Sequence, residues 1–151
     1  RAVLPAVGSC KFHGSLYHHA NADAALAQKL AEWSRGAGIG RWITPPHGQL
    51  ATAAAAASLE VVPEVFGDRA YQLGASGPEL VPRTRPGAVL TDRAAILAQL
   101  ARLADGTVPV VTGEIVALHG ATVCLHGDGP AAIEHALAVR RWLDQHHISS
   151  C

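Results

Sequence analysis

The feature that most limits how this chain can fold is the alternation of short, β-branched apolar runs with longer amphipathic stretches. The runs at 42–43, 59–66, 108–118 and 121–125 are rich in Val and Ile, too short for a helical pattern, and read as buried strands. Between them lie helix patterns. Asn21 is suited to cap a helix over 22–35, with Ala22, Leu26, Leu30, Trp33 and Ala37 on one face and Gly36 and Gly38 stopping it. Thr44-Pro45-Pro46 predicts a helix start running through the alanine tract to Ser58, because Pro fits a first turn and Ala costs nothing in propensity. Thr91 caps a helix over 92–104 with Ile96, Leu97, Leu100, Leu103 and Ala104 inward, and Gly129-Pro130 opens one through Ala132, Ala136, Val139 and Leu143. This order predicts an α/β fold in which parallel strands alternate with helices, as part of a (β/α) barrel or a doubly wound sheet. Residues 67–89, rich in Gly, Pro and Arg without periodicity, read as a long functional loop.

Composition narrows the function classes. With 49% apolar and 16% charged residues in 151, the chain has the make-up of one ordinary buried domain. Lys plus Arg equals Asp plus Glu at 12 each, so no net field gathers polyanions, and nucleic acid and membrane surfaces are not expected partners. No apolar run approaches the roughly 20 residues that span a bilayer. Cys10, Cys124 and Cys151 are odd in number and lack C-x-x-C spacing, which suits a reducing cytoplasm rather than a disulfide framework. The chain opens on Arg1 without a signal-peptide pattern, as expected of a piece of a longer product.

Catalytic side chains in a βα architecture gather where strands end and helices begin. Three segments have that form. In Cys10-Lys11-Phe12-His13-Gly14, period-2 alternation puts Lys11 and His13 on one side of a strand ending at Gly14, a cation for an oxyanion or carboxylate beside a base or metal ligand; a capped strand end with a solvated lysine is the alternative. In Thr122-Val123-Cys124-Leu125-His126-Gly127-Asp128, a glycine-flanked His and Asp follow an apolar strand at a helix start. Either they face a ligand, or Asp128 is a helix cap and His126 its partner. In Glu64-Val65-Phe66-Gly67-Asp68-Arg69-Ala70-Tyr71, Arg69 is able to clamp a carboxylate, or local pairing of Glu64, Asp68 and Arg69 accounts for the same residues. Arg83 and Arg85 in the next loop are phosphate-binding candidates or merely solvated, and His47 is a weaker candidate of the same kind. His18-His19 and His146-His147 read as structural. Gly36-Ala37-Gly38-Ile39-Gly40 ends a helix and is no dinucleotide turn, and neither a phosphate loop nor a G-x-S-x-G elbow occurs.

These segments resemble motifs of the LamB/YcsF family, the A-subunit family of bacterial ATP-dependent 5-oxoprolinases. Lys11-x-His13-Gly14-x-Leu16-Tyr17 is similar to its K-P-H-G-x-L-Y, Glu64-Val65-Phe66-x-Asp68-Arg69-x-Tyr71 to its E-x-F-A-D-R-x-Y, and Leu80-Val81-Pro82-Arg83 to its L-V-P-R. Thr112-Gly113-Glu114 and the 122–128 segment follow in the same order. Phe12 stands where the family usually has Pro, and His18 where Asn commonly follows the Tyr. The family's acidic D-x-N-x-D-x-G-E strand and its G-F-H-A-G-D segment have no counterpart, so the resemblance makes 1–151 a single domain, the C-terminal part of a longer barrel of the glycoside hydrolase/deacetylase type without its N-terminal strands.

The resemblance implies hydrolysis of the lactam of 5-oxo-L-proline to L-glutamate, coupled to ATP cleavage with Mg2+, in a cytoplasmic complex with B and C subunits, with self-association also compatible. It implies Lys11, His13, His126 and Asp128 as catalytic residues, Asp128 orienting one histidine, and Glu64, Arg69, Tyr71 and Arg83 as substrate-binding. Rival expectations are a metal-dependent amide hydrolase or deacetylase with His13, His126 and Asp128 as ligands, and a non-catalytic interaction module.

Overall fold

The computed structural model describes residues 7–148, which fall into two compact units; Arg1 and Cys151, singled out above, lie outside the described residues. A parallel sheet carries the expected alternation of strands and helices. Its strands are β1 (Ser9–Cys10), β2 (Arg41–Thr44), β3 (Glu60–Phe66) and β8 (Thr122–Cys124), in the order β1-β2-β3-β8.

The first unit comprises residues up to Glu64 together with Gly120–Thr122. Here β1 pairs with β2 in parallel from Ser9↔Arg41, and β2 with β3 from Arg41↔Glu60 to Thr44↔Pro63. Three helices belong to it: α1 (Gly14–Ala22), α2 (Ala24–Gly36) and α3 (Gln49–Ala56). Trp42 is fully buried, its indole N–H donates to Ser34 Oγ on α2 at 2.9 Å, and Phe12 meets its ring edge-on at 5.0 Å. An indole in a core needs such an acceptor, and Ser34 supplies it from inside the helix face.

The helix starts differ from those read in the sequence, and side-chain caps are the reason. Asp23, not Asn21, caps α2, its carboxylate accepting from the N–H groups of Ala25 and Leu26. The buried face of α2 is accordingly Ala27, Ala31 and Ser34, with Trp33 56% exposed. Asn21 lies in the last turn of α1 and serves α3 instead: its Oδ1 accepts from Leu50 N–H at 3.3 Å and its Nδ2 donates to His47 O at 3.2 Å. Pro45 and Pro46 carry the chain away from β2, and α3 starts only at Gln49. Gly48, at φ 104° and ψ −171°, is the α3 cap residue, and a Cβ there would strike the Asn21 carboxamide.

The second unit holds 65–119 and 123–148 of the described residues. The region 67–89 is not featureless: β4 (Tyr71–Gly74) and β5 (Gly77–Leu80) form an antiparallel hairpin, Tyr71↔Leu80 to Gly74↔Gly77. The apolar run 108–118 is likewise a hairpin, β6 (Thr107–Pro109) with β7 (Ile115–Ala117), because Gly113 at φ 92° turns the chain and its N–H bonds Val110 O at 2.8 Å. Helix α4 (Arg93–Ala104) is capped by Asp92 rather than Thr91, and α5 (Ala132–Gln145) packs on it through Ile96, Leu100 and Val139. No helix among the described residues is long and apolar enough to cross a membrane.

Gly48 lies in backbone space that is almost confined to glycine, where another residue costs about 1–3 kcal/mol. Gly48→Ala is therefore expected to lower the unfolding free energy by about that amount through loss of the Asn21 cap, with Asn21→Ala losing part of it. Denaturant melts check both, and an unchanged midpoint for Gly48→Ala would refute this account of the α3 start.

Candidate functional site

In the first unit, β1 stops at Cys10, and Lys11 to His13 form an extended connection rather than a strand end reaching Gly14. Gly14, at φ 60°, opens α1 and turns the chain between the two. Lys11 is paired with Glu64 near the end of β3, with the ammonium on Oε1; Tyr17 Oη donates to Oε2 at 3.3 Å. The Glu64 carboxylate is only 4% exposed, so it is a buried anion held by a cation and a phenol. His13 is the exposed N-cap residue of α1, and its side chain makes no capping bond.

In the second unit, Asp68 and His126 form a polar pair. Asp68, 5% exposed, accepts from His126 N–H at 2.7 Å and faces His126 Nδ1 at 2.9 and 3.1 Å. A carboxylate only accepts, so the hydrogen between them sits on Nδ1, and Nε2 is the ring nitrogen that does not face Asp68. Phe66 stacks on the imidazole at 5.7 Å with the planes 20° apart. The partner that orients this histidine is thus Asp68, not Asp128. Asp128 instead accepts from Arg83 Nη1 at 2.8 Å, an exposed pair. It does not cap α5 either, whose N-cap position is Ala131. The hydrogen bond from Arg83 holds the Asp128 carboxyl below the ordinary carboxylate range.

Arg69 and Tyr71 turn inward. Arg69 is 1% exposed, with Nε donating to Ala88 O at 3.0 Å and Nη2 to Val81 O at 2.6 Å. Burial pushes its pKa down, and it braces loop backbone in place of the expected pairing with Glu64 and Asp68. Tyr71 is 4% exposed and its phenol oxygen accepts from Phe66 N–H at 2.8 Å. Arg83 stays at the surface, bonded to Asp128, while Arg85 bonds Gln72. Among the described residues, no three or more His, Cys, Asp or Glu side chains are grouped to hold a metal ion. Cys124 Sγ faces Leu125 O at 3.9 Å, and His146 stacks on Trp142 at the end of α5.

The profile of the LamB/YcsF family matches residues 4–151. The chain belongs to the LamB/YcsF family. It is similar to the 5-oxoprolinase A subunit of Symbiobacterium thermophilum, 39% identical over 99% of this chain and 57% of that protein. The same identity holds to the 5-oxoprolinase A subunit of Kocuria rhizophila, over 99% of this chain and 59% of that one. The crystal structure of a lactam utilization protein from Thermus thermophilus superposes with a TM-score of 0.80 at 34% identity, covering 91% of this chain and 54% of that one. The chain spans little more than half the length of these relatives.

The LamB/YcsF motifs divide by environment. Lys11, Glu64, Asp68 and His126 make side-chain pairs at strand ends, whereas Arg69 and Tyr71 are spent on backbone. From the sequence, Asp68 was expected only as a salt-bridge partner, and Gln99 was not among the candidates. A single polar residue on an otherwise apolar inner face of α4 was the available sign.

The Arg83 bond sets a pH expectation. Asp128 has its folded pKa lowered, so the pair's contribution is present above the ordinary carboxylate value of about 3.9 and is lost as pH falls through the lower folded value. Carboxyl NMR titration should show the Asp128 midpoint rising towards about 3.9 in Arg83→Gln; an unmoved midpoint would mean that Arg83 is not its cause.

Proposed function

We propose that this chain forms part of the A subunit of an ATP-dependent 5-oxoprolinase, which opens the lactam of 5-oxo-L-proline to L-glutamate. The Asp68–His126 pair carries the reading, supported by the names of the 39% identical relatives. Opening a five-membered lactam requires water to add at the carbonyl carbon, the C–N bond to break, and the departing nitrogen to gain a proton. His126 does the proton work. With Nδ1–H held by Asp68, Nε2 takes a proton from the attacking water and returns it to the ring nitrogen. Asp68 stabilises the imidazolium in between.

In the first unit, Lys11 is a cation of the kind that balances oxyanion charge, and the buried Glu64 carboxylate holds it in place. His13, exposed at the start of α1, is the second acid/base candidate. Arg83 takes the substrate-carboxylate role first considered for Arg69, since its guanidinium is 42% exposed and already binds a carboxylate, that of Asp128. An unstrained lactam resists opening, and ATP cleavage with Mg2+ supplies the driving force. Without a phosphate loop in this chain, nucleotide handling falls to B and C subunits or to family segments outside it. Three cysteines without C-x-x-C spacing suit a cytoplasmic setting.

The test uses the full-length protein in complex with its B and C partners. His126→Ala should lower 5-oxoproline-dependent glutamate formation by about 10²–10⁴-fold, with the complex still intact on a sizing column. Asp68→Asn should lower it by a comparable amount, and the double variant should be little worse than His126→Ala alone, because the two act as one unit. Wild-type turnover in His126→Ala would remove the proposal. Glutamate formation independent of ATP and lost to a chelator would favour the metal-dependent hydrolase instead.

A further inference from the structure

We infer that Gln99 is a positioning residue for the Asp68–His126 pair, its buried carboxamide setting the backbone turn from which the Asp68 carboxylate meets the imidazole. The inference rests on the reading of His126 as the acid/base group. Gln99 projects from the inner face of α4 at 5% exposure. Its Nε2 donates to Phe66 O at 2.8 Å and Arg69 O at 2.8 Å, with Gly67 O sharing at 3.3 Å. These carbonyls flank Asp68 on both sides. The remaining carbonyl of the turn, that of Asp68, accepts from Leu90 N–H at 2.9 Å, so all four oxygens of 66–69 have donors.

Three backbone donors here are also committed: Phe66 N–H to the Tyr71 phenol, Gly67 N–H to Cys124 O, and Ala70 N–H to Ala88 O. Gly67 is close-packed as well, since a Cβ there would lie 3.1–3.3 Å from Leu125, Leu100 and Val123. A carboxamide has two N–H hydrogens, and no other uncharged side chain of that length offers two. Replacement by an apolar residue leaves buried carbonyls unpaired, and the turn relaxes to find other donors. Asp68 then moves with its backbone. The Gln99 amide bonds backbone rather than the His126 ring, so its effect on the imidazole passes through Asp68.

The full-length protein with its partners is compared with Gln99→Met, which removes the donors at nearly constant volume, and with Gln99→Asn, which withdraws the amide by one methylene. Val139→Ala, which trims the α4–α5 core without removing a hydrogen-bonding group, controls for lost stability alone. Two readouts are taken: kcat and KM for 5-oxoproline, and the His126 ring-nitrogen NMR signals that report its tautomer. Gln99→Met should lower kcat by about 100-fold with KM little changed, and should mix the His126 tautomers; Gln99→Asn should do the same to a lesser degree, and Val139→Ala should do neither. A wild-type tautomer and kcat in whichever Gln99 variant folds would overturn the inference. If the wild-type complex does not open 5-oxoproline at all, the proposed function fails, while the tautomer signals still decide whether Gln99 positions Asp68.

Discussion

Four consecutive backbone carbonyls, those of residues 66–69, leave the end of a parallel strand inside the protein, and each must meet a donor away from water. Gln99 meets three of them and Leu90 N–H the fourth. That accounting makes the turn rigid enough for Asp68 to hold both the backbone and the ring of His126. The residues which resemble a binding motif, Arg69 and Tyr71, belong to the same accounting: a guanidinium and a phenol satisfy backbone groups of this and the neighbouring loops. A cluster of polar side chains thus separates into those that build the turn and the two that it presents.

The first unit solves a related problem with charge. Glu64 is buried, and an isolated carboxylate there would be costly, so Lys11 and Tyr17 accompany it. Parallel pairing brings them together, because Lys11 follows β1 and Glu64 lies near the end of β3, so both lie at the ends of strands running the same way. Asn21 works in the same manner for α3, lending a cap from another helix where Gly48 has no side chain to offer.

The strands of the parallel sheet and the helices α2 to α5 were legible from periodicity apart from their exact bounds, whereas α1 and the β4–β5 hairpin were not, and Lys11, Glu64 and His126 stood out as polar residues near strand ends. Legibility ended where two local choices looked alike. Asn21 and Asp23 are both good caps, and only contact with α3 claimed the asparagine. The apolar run 108–118 satisfies a strand pattern throughout, yet Gly113 folds it back on itself. Asp68 and Asp128 are both aspartates that follow a glycine, and spacing does not tell which reaches His126.

By itself the sequence determined the alternation of apolar strands with helices and the set of polar residues delivered to strand ends, because both follow from side-chain period along a single segment. Tertiary structure decided the pairings: Asp68 rather than Asp128 with His126, Arg83 with Asp128, Arg69 with backbone, and Gln99 under the turn. Such pairings join residues as far apart as 30 positions for Gln99 and Arg69 and 58 for His126 and Asp68. A hydrogen bond depends on distances of a few tenths of an ångström that no local pattern encodes.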